Sequence, residues 1–300
     1  MAYGAPEHLD QVEAYYTDIR RGAPPPPQLL AMLIDRYRAI GGGSPLCGIV
    51  ERQRAAVTAE LRRRGREVRV YAGMKHIAPF VGDVVRRMAG DGIERAVALA
   101  LAPQRSSVNA ATYRRAVEDA QAALGAHAPP FGFVDSWHDD PRLIEAIATA
   151  TAEAIRRFRD PGEVRVVFTA HSLPERIAAG DPYPGEVRGT ALLVARRCGL
   201  PRYEVAFQSA GRTEERWIGP ELRDVIRRLA AEGVRDLLVC PVGFVADHLE
   251  VLYDIDIEAQ QVARDVGTHL ERTRSLNDDP TFIAGIADRV EAAFSAMVAA

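Results

Sequence analysis

Short runs of β-branched and other apolar residues alternate along the chain with longer stretches whose apolar residues recur every three or four positions. The first pattern suits a buried strand and the second an amphipathic helix, so the alternation predicts parallel βαβ units. Strands are expected over 67–71, 95–101, 132–135, 164–169, 203–208 and 236–240. Helices are expected over 49–64, 78–89, 110–124, 141–158, 185–198 and 220–232, and a last amphipathic helix follows Thr281. The four prolines at 24–27 read as a stiff connector between two early helices. The pattern divides into an amino-terminal half (1–140), a connecting helix (141–160), a carboxy-terminal half (161–277) and a final helix (278–300) that packs back on the body. The expected class is α/β, each half a parallel sheet flanked by helices. Ligands of such sheets sit beyond the carboxyl ends of the strands, which places one ligand in a cleft between the halves.

Composition narrows the possibilities. A hydrophobic fraction of 47% and a charged fraction of 26% are those of a globular protein. The net charge of −3 gives no bulk attraction to nucleic acid or an anionic membrane, so neither is expected as a partner. No apolar run approaches the length of a membrane span, and no signal peptide is recognisable. Cys47, Cys198 and Cys240 are scattered, with no CxxC pair, which argues against a zinc site or disulfide framework and for a reducing cytoplasm. Nearly all positive charge is arginine, and Lys75 is the only lysine. A compact, titratable ammonium kept at that one position suggests a role, although a solvated loop would keep it equally well.

Several residues carry candidate chemistry. His171 follows the strand expected at 164–169, at the rim where a ligand would lie. It reads either as a metal ligand or proton acceptor, or as a loop histidine bonded to nearby backbone. The run PVGFVADHLEVLYDIDIE opens at the same rim. A helix from about His248 would align Glu250, Asp254 and Glu258 at four-residue spacing. Like charges so placed cost ~0.2–0.5 kcal/mol per pair on an isolated helix. An acidic ladder that leads cations to a ligand accounts for that cost. Asp247 and Glu250 also have capping-box spacing, which leaves Asp254 and Glu258 unexplained. One imidazole and one carboxylate suit Fe²⁺ or another divalent ion held loosely. Near the amino terminus, Arg20, Arg21, Arg36 and Arg38 cluster with Gly41, Gly42, Gly43 and Ser44. Guanidinium forks and backbone N–H groups of that kind bind carboxylates or phosphates, but solvated helix faces look the same. Lys75 and His76 sit just after another expected strand, and Trp217 is placed either to stack on a flat ligand or to pack inside.

Taken in order, MAYGAP, YYTDIRRG, RYRAIGGGSPL, GMKHIAP, TAHSLP, FQS with WIGPEL, and PVGFVADHLEVLYDID resemble the ferrochelatase family over essentially the whole chain. The likeness is strongest to the compact enzymes that act on coproporphyrin III. It implies two Rossmann-like (chelatase-type) halves enclosing a porphyrin. It also implies His171 and Glu250 on the metal-insertion side, with Asp254 and Glu258 continuing an acidic ridge. Tyr3 matches the tyrosine of the opposite ring face. Arg20, Arg36, Ser44 and Tyr113 match positions that hold propionates or the ring edge, and Lys75 and His76 match cleft residues. The resemblance implies porphyrin and ferrous iron as partners, a monomer, and no cofactor beyond the iron that is substrate. Some relatives carry an iron–sulfur cluster on carboxy-terminal cysteines; this tail has none, and no cluster is expected.

Two departures stand out. Relatives carry a few more apolar residues ahead of MAYG as a first strand, so either the start lies upstream or the first sheet lacks part of an interior strand. Gln104 and Arg105 stand where a histidine and an aromatic residue are expected. The expected activity is insertion of Fe²⁺ into coproporphyrin III to give coproheme. The alternatives are a protoporphyrin IX ferrochelatase, a non-catalytic porphyrin or haem carrier, and a cobalt or nickel chelatase of a tetrapyrrole such as sirohydrochlorin.

Overall fold

The computed structural model describes residues 1–211 and 214–299; Arg212 and Thr213, inside the run FQSAGRTEERWIGPEL, and Ala300 lie outside it. The chain forms two compact units, Met1–Trp137 with Asn277–Ala300, and His138–Leu276.

In the first unit, helices α1 (Val12–Ile19) and α2 (Pro27–Ala39) flank the proline run. Pro27 opens α2 at a position where its missing N–H costs no helical bond. Helices α3 (Leu46–Arg63) and α4 (Val81–Gly90) follow, then strand β1 (Ala96–Leu99), α5 (Ala110–Leu124) and β2 (Phe131–Val134). The two strands pair in parallel, with Ala96 opposite Phe131 and Leu99 opposite Val134. Val81, Val85, Tyr113, Val117 and Ala120 form a buried cluster against Phe131 and Phe133.

The strand expected at 67–71 does not form. Its residues are extended but unpaired as a ladder, Val68 is 38% exposed, and the parallel bridges nearby join Ala2 to Met74 and Met74 to Phe80. Alternation alone cannot make a strand without a neighbour to take its N–H and C=O groups. A cavity of about 510 Å³ lined by Val57, Val68, Val97 and Phe294 includes none of the candidate site residues.

In the second unit come α6 (Pro141–Ile155), β3 (Arg165–His171), α7 (Glu175–Ala178), α8 (Tyr183–Cys198), β4 (Tyr203–Gln208), α9 (Leu222–Ala231) and β5 (Asp236–Cys240). Then follow α10 (Leu249–Leu252), a π-helical segment (Asp254–Ala259), α11 (Gln260–Asp265) and β6 (His269–Arg272). The sheet is parallel in the order β4–β3–β5–β6. Val167, Ala206, Leu237 and Val239 from its strands pack with Leu222, Ile226 and Leu229 of α9 and with Val251, Ile255 and Ala259. The helix expected as a connector, α6, lies within this unit and packs on α8. Its start is fixed by Asp140, whose carboxylate accepts from the N–H groups of Arg142 and Leu143. β6 gave no clear pattern because only Leu270 of HLER is buried.

The last helix, α12 (Pro280–Ala299), belongs to the first unit and packs on α3. Arg64 anchors it through Asp288 at 2.6 Å and Glu291 at 2.8 Å. No helix among the described residues is long and apolar enough to cross a membrane.

Leu237 is fully buried at the centre of the second unit. Leu237→Ala is expected to cost about 2–5 kcal/mol, the usual range for emptying a core leucine site, read as a lowered urea midpoint of that unit.

Candidate active site

The carboxyl rim of the second unit's sheet gathers His171, Gln208 and the segment after β5. β3 runs on to His171, so the histidine ends the strand and pairs in register with Gln208 of β4. The hydroxyl of Tyr183 donates to the His171 carbonyl at 3.0 Å. His171 Nδ1 lies 2.5 Å from the carbonyl oxygen of Ser172. A carbonyl only accepts, so Nδ1 carries the proton and Nε2 presents a lone pair. Ser172 is held in turn by its N–H to the Gln208 carbonyl and its hydroxyl to the Ile218 carbonyl, both at 2.7 Å.

The segment after β5 turns tightly over β3. Gly243 donates to the Thr169 carbonyl at 3.0 Å, and a Cβ on it would meet the Ala170 Cα at 2.8 Å. Only glycine permits that approach, which carries the chain toward Glu250. The side-chain amide of Gln208 donates to the Glu250 carbonyl at 2.7 Å. His171 and Glu250 are therefore joined to one residue, one through the sheet and the other through an amide.

Glu250 has a partner that sequence reasoning missed. His248 Nδ1 is 2.9 Å from the Ala246 carbonyl, and its Nε2 is 3.2 Å from a Glu250 carboxylate oxygen. The signal was present in DHLE, where the histidine stands two residues ahead of Glu250. Ser209, with a left-handed backbone (φ 62°), donates its hydroxyl to Asp254, which is 6% exposed. Glu258 lies 3.8 Å from Arg223.

The acidic ladder does not ride on a continuous α-helix. α10 ends at Leu252, and a π-helical segment follows from Asp254 to Ala259, with the Glu258 N–H bonded to the Tyr253 carbonyl. The capping-box alternative also fails. His248, not Asp247, is the N-cap of α10, and Asp247 instead accepts from Ser275 at 2.6 Å. Trp217 forms an antiparallel bridge with Pro174.

The first unit holds a second cluster. Tyr3, Tyr15 and His76 meet edge to face, with Tyr3 and His76 ring centres 4.5 Å apart. His76 Nδ1 lies 2.7 Å from Asp18. Lys75 Nζ donates to the Val108 carbonyl at 3.2 Å and lies over the rings of Tyr3 and Tyr113, at 5.4 and 5.9 Å. Tyr113 is buried, which pushes its phenol well above the ordinary range. Burial lowers His76 against the opposing pull of Asp18. Arg20 is exposed and lies over the Tyr16 ring, and Arg36 sits half-buried on α2. Ser44 is 5% exposed and accepts from the Leu46 N–H at the start of α3. Its loop closes on the chain near Glu7, where a Cβ on Gly43 would overlap the Glu7 carbonyl at 1.9 Å. Ser44 is thus buried in a turn. Gln104 is buried, its carbonyl accepting from Asn109. Among the described residues, no three histidine, cysteine, aspartate or glutamate side chains form a group able to hold a metal ion.

The ferrochelatase family model matches residues 1–294. The chain belongs to the ferrochelatase family. Ferrochelatases are metal-inserting lyases of haem biosynthesis, and the enzyme described here is one of them. A ferrochelatase from Thermus thermophilus is 44% identical over 98% of both chains. A coproporphyrin III ferrochelatase from Geobacillus thermodenitrificans is 42% identical over 96% of this chain and 92% of its own. Among solved structures, SirB from Bacillus subtilis with Fe³⁺ superposes with a TM-score of 0.58 at 13% identity, covering 79% of this chain and 86% of that one. At that identity the likeness shows the chelatase fold.

Burial lowers Lys75 below the ordinary lysine value of 10.5, with Asp18 opposing the shift and Arg21 adding to it. Its charge is therefore lost at lower pH than that of an exposed lysine. Because the folded value is depressed, the unfolded chain binds more protons between the two values, and stability rises with pH across that interval. A carbon-13 label on lysine gives a single side-chain signal in this chain, and its titration midpoint is expected below 10.5.

Proposed function

We propose that this ferrochelatase inserts Fe²⁺ into coproporphyrin III, with His171 as proton acceptor and Glu250 as the carboxylate that positions the iron. The observation that carries the reading is the Nε2 lone pair of His171, fixed by the Nδ1 contact to Ser172, beside the Gln208 amide that holds Glu250. Relatives of about this similarity from Geobacillus kaustophilus and other Geobacillus species are coproporphyrin III ferrochelatases, which supports that porphyrin over protoporphyrin IX.

Metallation replaces two pyrrole protons with one Fe²⁺, without redox change. A flat ring keeps its nitrogen lone pairs in plane, and distortion of a bound substrate takes typically ~1–5 kcal/mol from remote contacts. His171 Nε2 accepts the two pyrrole protons in turn, Glu250 receives the incoming iron, and Asp254 and Glu258 carry the released protons away, or cations inward, along the acidic line. Lys75, with the rings of Tyr3, Tyr113 and His76, offers a cation and aromatic faces to a flat, carboxylated ring. Arg20 and Arg36 supply guanidinium groups, and Ser44 a hydroxyl, for the carboxylates or edge of the ring. Iron is substrate here, and no resident cofactor or iron–sulfur cluster is part of the proposal. A cytoplasmic monomer completes it, since three free thiols suit a reducing compartment.

The test is anaerobic incubation with Fe²⁺ and each porphyrin, following loss of free-porphyrin fluorescence. Coproporphyrin III is expected to turn over faster; preference for protoporphyrin IX would overturn the choice of ring, and binding of both without metallation would leave a carrier. His171→Ala is expected to lower turnover by about 10²–10⁴-fold, the usual worth of a positioned general base, with porphyrin binding retained. Unchanged turnover would remove His171 from the mechanism.

A further inference from the structure

The acidic segment is gripped from β6 as well as from β4. The Arg272 guanidinium, 16% exposed, forks onto Asp256 with Nε at 2.7 Å from one oxygen and Nη2 at 2.9 Å from the other. Asp256 lies inside the π-helical segment, between Asp254 and Glu258. The same guanidinium reaches back to Asp247, at 3.4 Å, just ahead of α10, and donates to the Thr273 carbonyl at 3.0 Å. Ser275 closes the loop by donating to Asp247 at 2.6 Å. One side chain on a rigid strand thus ties down the chain on both sides of Glu250 and Asp254.

Residues four apart in an α-helix overshoot a full turn by roughly 40°, at 3.6 residues per turn. A ladder of three acids on a pure α-helix therefore creeps around the axis. The wider i→i+5 turn rotates less per residue and offsets that creep. π-segments are rare and need outside support, and the planar Arg272–Asp256 fork supplies a contact specific in direction as well as charge. The same guanidinium lies 3.4 Å from Asp247, so one cation serves both acids.

We propose that Arg272 is a positioning residue for metal delivery: its fork on Asp256 and its reach to Asp247 set the direction in which Glu250 and Asp254 present their carboxylates to the incoming ion. The proposal rests on the metal-insertion reading of that segment. Lysine keeps the charge but not the fork, so Arg272→Lys separates geometry from electrostatics.

The experiment compares wild type, Arg272→Lys, Arg272→Gln and Asp256→Asn at a temperature where all are folded. It measures KM for Fe²⁺, kcat, and coproporphyrin III affinity by fluorescence quenching. Removing a group that orients a ligand typically weakens metal affinity about 10–100-fold, and both Arg272 variants are expected to raise KM for Fe²⁺ in that range with porphyrin affinity unchanged. Asp256→Asn should shift the same parameter, and the Arg272→Gln/Asp256→Asn pair should do little more than Arg272→Gln alone, because both act through one contact. Unchanged KM for Fe²⁺ with a lowered melting temperature makes Arg272 a brace of the fold and overturns the proposal. So does full rescue by lysine, or a loss confined to porphyrin binding. If wild type metallates no porphyrin, the functional reading fails separately. Zn²⁺ titration calorimetry then decides the role of Arg272, and equal affinity in wild type and Arg272→Gln overturns it.

Discussion

The side-chain amide of Gln208 joins two parts of the second unit that lie 42 residues apart. Gln208 is the last residue of β4, paired in register with His171 of β3, and its amide takes the carbonyl of Glu250. The candidate proton acceptor and the candidate metal carboxylate therefore inherit their relation from a parallel sheet, the stiffest element available. A buried amide left without its acceptor would cost on the order of 1–3 kcal/mol, so this link is held by the fold and not merely allowed by it. Gly243 is the second condition. Its close approach to Ala170 folds the segment after β5 back over β3, so that α10 begins at the rim instead of running away from it.

Much of this was legible in the sequence. The second-unit strands announced themselves because short apolar runs such as VRVVF and DLLVC are buried on both faces, the pattern of a central parallel strand. His171 was readable because it stands at the end of such a run. The run at 67–71 failed for a complementary reason. EVRVY has the alternation of a strand, but strand formation depends on a neighbour supplied elsewhere in the chain, and no local pattern reports that. Strand β6 was missed because one buried residue in four makes no periodicity.

The site was legible in its residues and not in its backbone. Glu250, Asp254 and Glu258 were found from four-residue spacing, which presumes an α-helix, yet the helix changes to a π-turn within that span. Spacing cannot distinguish the two, because the residues that select the π-turn lie outside the segment. His248 escaped notice for a different reason. Next to a capping-box pattern it looks like a helix boundary, and only the coordinates show that its second nitrogen meets the Glu250 carboxylate. Ser44 stands in a turn whose closure the glycine run did not announce. Gly43 is there to let the loop close against Glu7, and that closure buries the serine.

A line of acids within one helical segment is a standing electrostatic cost, and the way that cost is divided indicates what the line does. Asp254 accepts from Ser209, Glu250 lies 3.2 Å from His248 Nε2, and Glu258 lies 3.8 Å from Arg223. These contacts are a hydroxyl, an imidazole nitrogen and a guanidinium at long range. Asp256, off the four-residue spacing, takes a close two-point fork from Arg272. Strong pairing is thus spent on the residue that braces the backbone. A carboxylate met by a hydroxyl or an imidazole exchanges that contact for a divalent cation, and takes it back, more readily than one held in a buried fork-on-carboxylate pair. A metal-inserting enzyme needs that reversibility, since an ion held as tightly as in a structural site would never reach the ring.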